Sequence, residues 1–161
     1  FLLGQQYKDN GTAIIEDRGK TPLIFTREIP LSGANVKQGI RVIKYHPATA
    51  NKYIFMRYAD ALLMKAEAQF RSNNAAGALI TVNAVRAKRG ASLLTAVTAD
   101  NLFDERRRES YWEGYGRQDE IRFGKFTTGA GVVNKAAYTV LFPIPAVALA
   151  SNPNLKQNEG Y

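Results

Sequence analysis

No cysteine occurs in the 161 residues, which excludes disulfides, thiolate metal sites and thiol nucleophiles. Only one histidine is present, His46, so there is no multi-histidine metal centre and no serine–histidine–aspartate set beyond that one candidate. Standing just before Pro47, it reads as a loop histidine. Long apolar runs are also missing. The longest, such as Tyr53–Met56 and Ala146–Ala150, fall far short of the ~20 residues of a membrane-spanning helix. A basic block is lacking too: the formal charge is +8, yet the cations are scattered from Lys8 to Lys156 among carboxylates. Neither a polyanion patch nor a nucleic-acid motif is expected, and no cofactor. The chain opens on Phe1 with no signal-peptide pattern near it, so the expectation is a processed or excised piece of a longer chain.

What is present is a 45% hydrophobic chain, enough for one modest core. Residues 1–53 read as extended and irregular. Thr12–Glu16 and Leu23–Arg27 are short β-branched or apolar runs around the turn "DRGK" at 17–20, which predicts a β-hairpin with Gly19 at the permissive position. "GIRVIKY" at 39–45 predicts one further strand.

From Arg57 the period changes. Tyr58, Leu62, Ala66 and Phe70 lie four apart, with Asp60, Lys65, Glu67 and Arg71 turned the other way, predicting an amphipathic helix that ends near Ser72. Asn73 or Asn74 can cap a second helix carrying Ala76, Leu79, Ile80 and Val85, and Gly90 can end it. Two such helices form a hairpin of the tetratricopeptide kind, with small alanines allowing close approach. A third helix is predicted from Thr98 or Asp100 to Glu113, and "RQDEIRF" at 117–123 forms a short helical turn. The tail, "PIPAVALASNPNL" at 143–155, reads as a proline-stiffened strap that closes the fold. The expected class is mainly α, organised as an extended segment at 1–53, a helical scaffold at 57–124 and a loop plus strap at 125–161.

The densest chemistry lies in "FDERRRESYWEGYGRQDEIRFGKF" at 103–126. On the third helix Leu102, Glu105, Glu109 and Trp112 share one seam. A glycosidase needs two carboxylates ~5–10 Å apart facing a cleft, and Glu105 and Glu109 meet the spacing loosely. Their seam, however, also carries Leu102 and Trp112, and arginines surround it. The reading is therefore a structural charge network of Glu105, Glu109, Glu113 and Asp119 with Arg106 and Arg122, Arg86 and Arg89 being able to reach across from the second helix. By the same logic Trp112, Tyr58 and Phe70 are expected in the core. Tyr7 and Phe25, outside the helical motifs, are freer to face a ligand.

The strings "RYADALLMKAEAQF" at 57–70, "AVRAKRG" at 84–90, "ERRRESYWEGYGRQDEIRFGKF" at 105–126 and "LFPIPAVALASNPNLKQNEGY" at 141–161 resemble, in this order, the C-terminal part of the SusD/RagB family, and "GIRVIKY" upstream also fits. Two departures are Glu159, where that family commonly has proline before the closing Gly-Tyr, and Arg117, displaced by one residue. The resemblance implies a mostly helical outer-membrane lipoprotein with tetratricopeptide-like pairs, anchored at the cell surface by an N-terminal lipid outside this chain. It also implies binding of oligosaccharides, or in some branches peptides, for delivery to a SusC-like TonB-dependent transporter, without catalysis. The alternative is a helical protein-interaction module without its own glycan site. The family motifs are scaffold motifs, and they carry no binding residue onto this chain.

Overall fold

The computed structural model describes residues 1–16, 18–45, 50, 52–129 and 132–161, so His46 lies outside the described residues. The chain divides into two compact units, Phe1–Tyr53 and Ile54–Tyr161.

In the first unit β1 (Gly4–Gln5) pairs antiparallel with β2 (Ile24–Phe25), Gly4 opposite Phe25. The predicted hairpin is present in outline: Ile15 bridges Pro22, and the Leu23 N–H donates to Ile14 O. Its turn differs from expectation. Lys20, not Gly19, takes the left-handed conformation, with φ 52°. Gly19 serves a steric purpose instead, because its N–H donates to Glu16 Oε2 at 2.7 Å and a Cβ there would meet the same oxygen. The third predicted strand shrinks to one bridge between Arg41 and Leu2. Around it the Arg41 guanidinium donates to the carbonyls of Val36, Gln38 and Gly39, so a folded-back turn replaces a ladder.

The second unit is helical. In chain order it holds α1 (Tyr58–Arg71), α2 (Ala75–Lys88), α3 (Ala99–Glu109), α4 (Gly116–Arg122), a 3-10 turn (Ala137–Val140) and α5 (Ala146–Ser151). The chain is thus mainly α, as the periodicity predicts. Asn74 caps α2 by accepting from the Gly77 N–H at 2.9 Å, and Gly90 ends the segment at φ 64°. Thr98 and Asn101 form a reciprocal capping box that fixes the start of α3. Ala66 on α1 and Ala78 on α2 are fully buried; side chains this small let two helix backbones come close. Leu63, Ala66, Val82, Val85 and Leu102 make the core, with Phe70 and Phe123 packed against it.

Three expectations fail here. Tyr58, placed on the buried stripe, is 79% exposed, and Ile80 of α2 also faces out. Asp60 and Glu67, placed on the outer face, are buried. Helix α3 ends at Glu109, four residues short of Glu113, and Trp112 follows it at φ 66°. The seam therefore stops before it reaches the tryptophan.

The tail is held down within this unit. Arg117 of α4 donates to Thr139 O and Val140 O, and its guanidinium lies over the rings of Phe142 and Phe126 at 4.1 and 4.9 Å. Gln157 exchanges two hydrogen bonds with the Ile144 backbone, and the Tyr161 hydroxyl donates to Leu141 O. The strap is not wholly extended. Pro145, which has no N–H to leave unpaired, initiates the short α5.

Candidate functional site

Three arginine-centred knots fasten α1, α2, α3 and α4 together. In the first, Glu109 is shared: Arg57 Nη1 donates to Oε1 at 2.6 Å, and Arg89 of α2 donates to both carboxylate oxygens, at 2.9 and 2.5 Å. Arg57 Nε also donates to Glu113 at 3.0 Å, and its Nη2 to Glu109 O at 2.8 Å. In the second knot, buried Arg106 faces two buried aspartates. Its Nε donates to Asp119 Oδ1 at 2.8 Å, and its Nη1 stands 3.2 Å from Asp60 Oδ1 in an ion pair outside hydrogen-bond geometry. In the third, Glu67 of α1 takes Arg71 at 2.8 Å and Arg122 of α4. Arg86 of α2 donates to Glu105.

This arrangement decides the electrostatics. The Glu109 carboxyl is held at about 2, against the ordinary 4.5, chiefly by the hydrogen bond from Arg89 and then by that from Arg57, which together outweigh its burial. Arg89 is raised in return by the same bond. Burial acts to lower Arg57, but its bonds to Glu109 and Glu113 overcome it. Glu105 and Glu109 are both engaged by guanidinium groups, whereas a general acid must hold its proton near neutral pH. Among the described residues no group of three or more acidic or histidine side chains could hold a metal ion.

The remaining candidates fall in different places. Tyr7 is exposed and bridges Ala13. Phe25 is buried, its ring lying under the Arg41 guanidinium at 5.1 Å, so its face is not open to a ligand. The first unit also has a cleft of about 900 Å³ bordered by Ile14, Leu23, Val36 and Lys37, with no aromatic ring in its lining.

A smaller pocket in the second unit, about 150 Å³, was missed by sequence reasoning. It lies where α3 runs into α4 and is bordered by Arg106, Ser110, Tyr111, Trp112, Tyr115 and Asp119. The indole of Trp112 is 63% exposed, and its ring lies 6.0 Å from that of Tyr111 at a 32° tilt. The signal lay in "GYG" at 114–116. Two glycines so close to the tryptophan mark a sharp turn there, and a turn takes the ring off the helical seam.

The comparisons with known proteins agree with this helical framework. The chain is 40% identical over 115 residues to the starch-binding protein SusD of Bacteroides thetaiotaomicron, a match covering 65% of this chain and 21% of that protein. It is 30% identical over 145 residues to a SusD-like protein of Formosa agariphila, covering 78% of this chain and 29% of the relative. The chain thus spans less than a third of the length of the curated relatives it matches. The SusD family model matches residues 41–136, a stretch that takes in α1, α2, α3 and α4 with all three knots, and on that match the chain belongs to the SusD family.

Proposed function

We propose that this chain forms part of a non-catalytic nutrient-binding protein of the bacterial outer membrane, which captures oligosaccharides at the cell surface for a SusC-like TonB-dependent transporter. The observation that carries the reading is the family match together with a relative named for starch binding. The occupied state of Glu105 and Glu109 supports the absence of catalysis, since neither carboxylate is available to protonate a leaving group. No helix among the described residues is long and apolar enough to cross a membrane, which is compatible with an N-terminal lipid as the anchor.

A second reading, a helical protein-interaction module, is favoured by the exposed apolar side chains Phe55, Tyr58 and Ile80. Calorimetry of the full-length protein against a panel of oligosaccharides and peptides separates the two. Glycan capture is expected to give saturable heats with at least one oligosaccharide. Firm co-purification with a transporter and no heat from any member of the panel would favour the interaction module.

A further inference from the structure

The pocket between α3 and α4 combines features that the charge network does not need. Three polar atoms of its lining residues are buried without a hydrogen-bond partner: Ser110 Oγ, Arg106 Nη1 and Asp119 Oδ2. Their residues are 5%, 3% and 1% exposed. Leaving such groups unpaired costs free energy, and a cluster of them beside a cavity marks a place where a polar ligand would complete the bonding. Their chemistry is mixed. Serine both donates and accepts, the guanidinium only donates, and the carboxylate oxygen only accepts. Adjacent sugar hydroxyls, each donor and acceptor at once, complement that set.

The rim supplies the other half. Tyr111 and Trp112 put two tilted rings at the pocket, one of them largely open to solvent. Trp112 holds this position at φ 66°, a conformation that a bulky residue occupies at a cost. A sugar ring is apolar on its C–H face and polar at its edge, so it can lie on an indole while its hydroxyls reach the floor. The size is right for one ring. At about 150 Å³ the pocket has room for about five waters, but not for a folded peptide.

Charge narrows the class further. Arg106 is matched by Asp119 and Asp60, and Arg107 on the rim is paired with Glu120 at 2.8 Å, so no cation is left over for an acidic sugar. We infer that this pocket is a subsite for a single neutral pyranose unit, stacked on Trp112 and bonded at its hydroxyls by Ser110, Asp119 and Arg106. The inference rests on the glycan-binding reading above and names a site for it.

Two substitutions and one soak test it in the full-length protein, with maltotriose as the probe and a uronic-acid trimer as the charged comparison. Trp112→Ala is expected to weaken maltotriose binding about tenfold without lowering the melting temperature, because the ring is largely exposed in the free protein. Ser110→Ala is expected to weaken binding about threefold while leaving the melting temperature equal or higher, since it removes an unpaired buried hydroxyl. Crystals soaked in maltotriose are expected to show a sugar ring over Trp112, and the uronic-acid trimer is expected to bind less tightly. Maltotriose bound as tightly by both variants as by the parent, or found elsewhere with this pocket empty, overturns the subsite and leaves glycan capture standing. No binding of any oligosaccharide by the parent protein overturns both.

Discussion

Arg106→Met is expected to unfold the helical unit, or to bring it to the edge of unfolding, at ambient temperature. Methionine fills a similar volume, so the loss is almost purely electrostatic. The guanidinium stands between Asp60 and Asp119, all three being nearly sealed from water. With the cation gone, Asp60 loses its ion-pair partner and Asp119 keeps only the longer, 3.3 Å contact with the partly exposed Arg122. Removing one member of a buried pair costs ~3–5 kcal/mol, and here one cation serves two anions, so the cost falls at or above the top of that range. Domains of this size have only ~5–15 kcal/mol in total. Urea unfolding followed by far-ultraviolet circular dichroism measures the loss. The triple variant Arg106→Met, Asp60→Asn, Asp119→Asn is expected to recover several kcal/mol, because it removes the uncompensated charges together with their partner. A single variant within ~1 kcal/mol of the parent would show that water reaches these carboxylates.

Glu109→Gln comes second in size, and its signature is a change in pH dependence. Glutamine keeps an acceptor for one guanidinium but withdraws the charge that Arg57 and Arg89 share. A loss of ~2–4 kcal/mol at neutral pH is expected, nearer the lower end because Arg89 is half exposed and partly screened. The sign of the acid limb follows from the carboxyl's folded value of about 2, below the ordinary 4.5. A depressed folded value means that the contribution is fully present above about 4.5 and drains away as pH falls from there towards 2. The parent should therefore lose stability steeply across that window, and the variant should show a shallower acid limb. Melting temperatures at closely spaced pH values decide it. Limbs of equal slope would remove Glu109 from the acid response. Unchanged melting together with lost ligand affinity would make the residue part of a binding site.

The helix boundaries were legible because they rest on local signals. Asn74, Gly90 and Thr98 act within one turn of themselves, and the structure uses each where the sequence places it. The inside and outside of α1 were harder to read. A helical wheel sorts residues by polarity, so it sends Asp60 and Glu67 to solvent; their partners Arg106 and Arg122 lie on other helices, and nothing local announces them. Tyr58 failed for the opposite reason. It obeys the apolar spacing, but as the first residue of its helix it projects beyond the reach of the core. Trp112 was misplaced by extending α3 a turn too far, and the pocket beside it vanished with that error. The tail's α5 was hidden because Pro143 and Pro145 suggest extension, although a proline just before a helix also starts one.

The arginine knots also bear on the order in which the chain assembles. Arg57 and Glu109 are 52 residues apart, and Glu67 and Arg122 are 55 apart, whereas α1 and α2 are joined by a turn of three residues, 72–74. Loop closure makes distant pairings late and nearby ones early, so the α1–α2 hairpin is expected to form in the folding transition state and the knots to close after it. Late contacts govern how fast a protein comes apart rather than how fast it forms. Weakening a knot, as in Glu109→Gln, should then steepen the escape from the native state while leaving the refolding arm of a chevron nearly in place. Slower refolding with unchanged unfolding would place the knots in the nucleus. On the expected outcome, the buried ion pairs act as a latch, setting the lifetime of a fold that its helices have already specified.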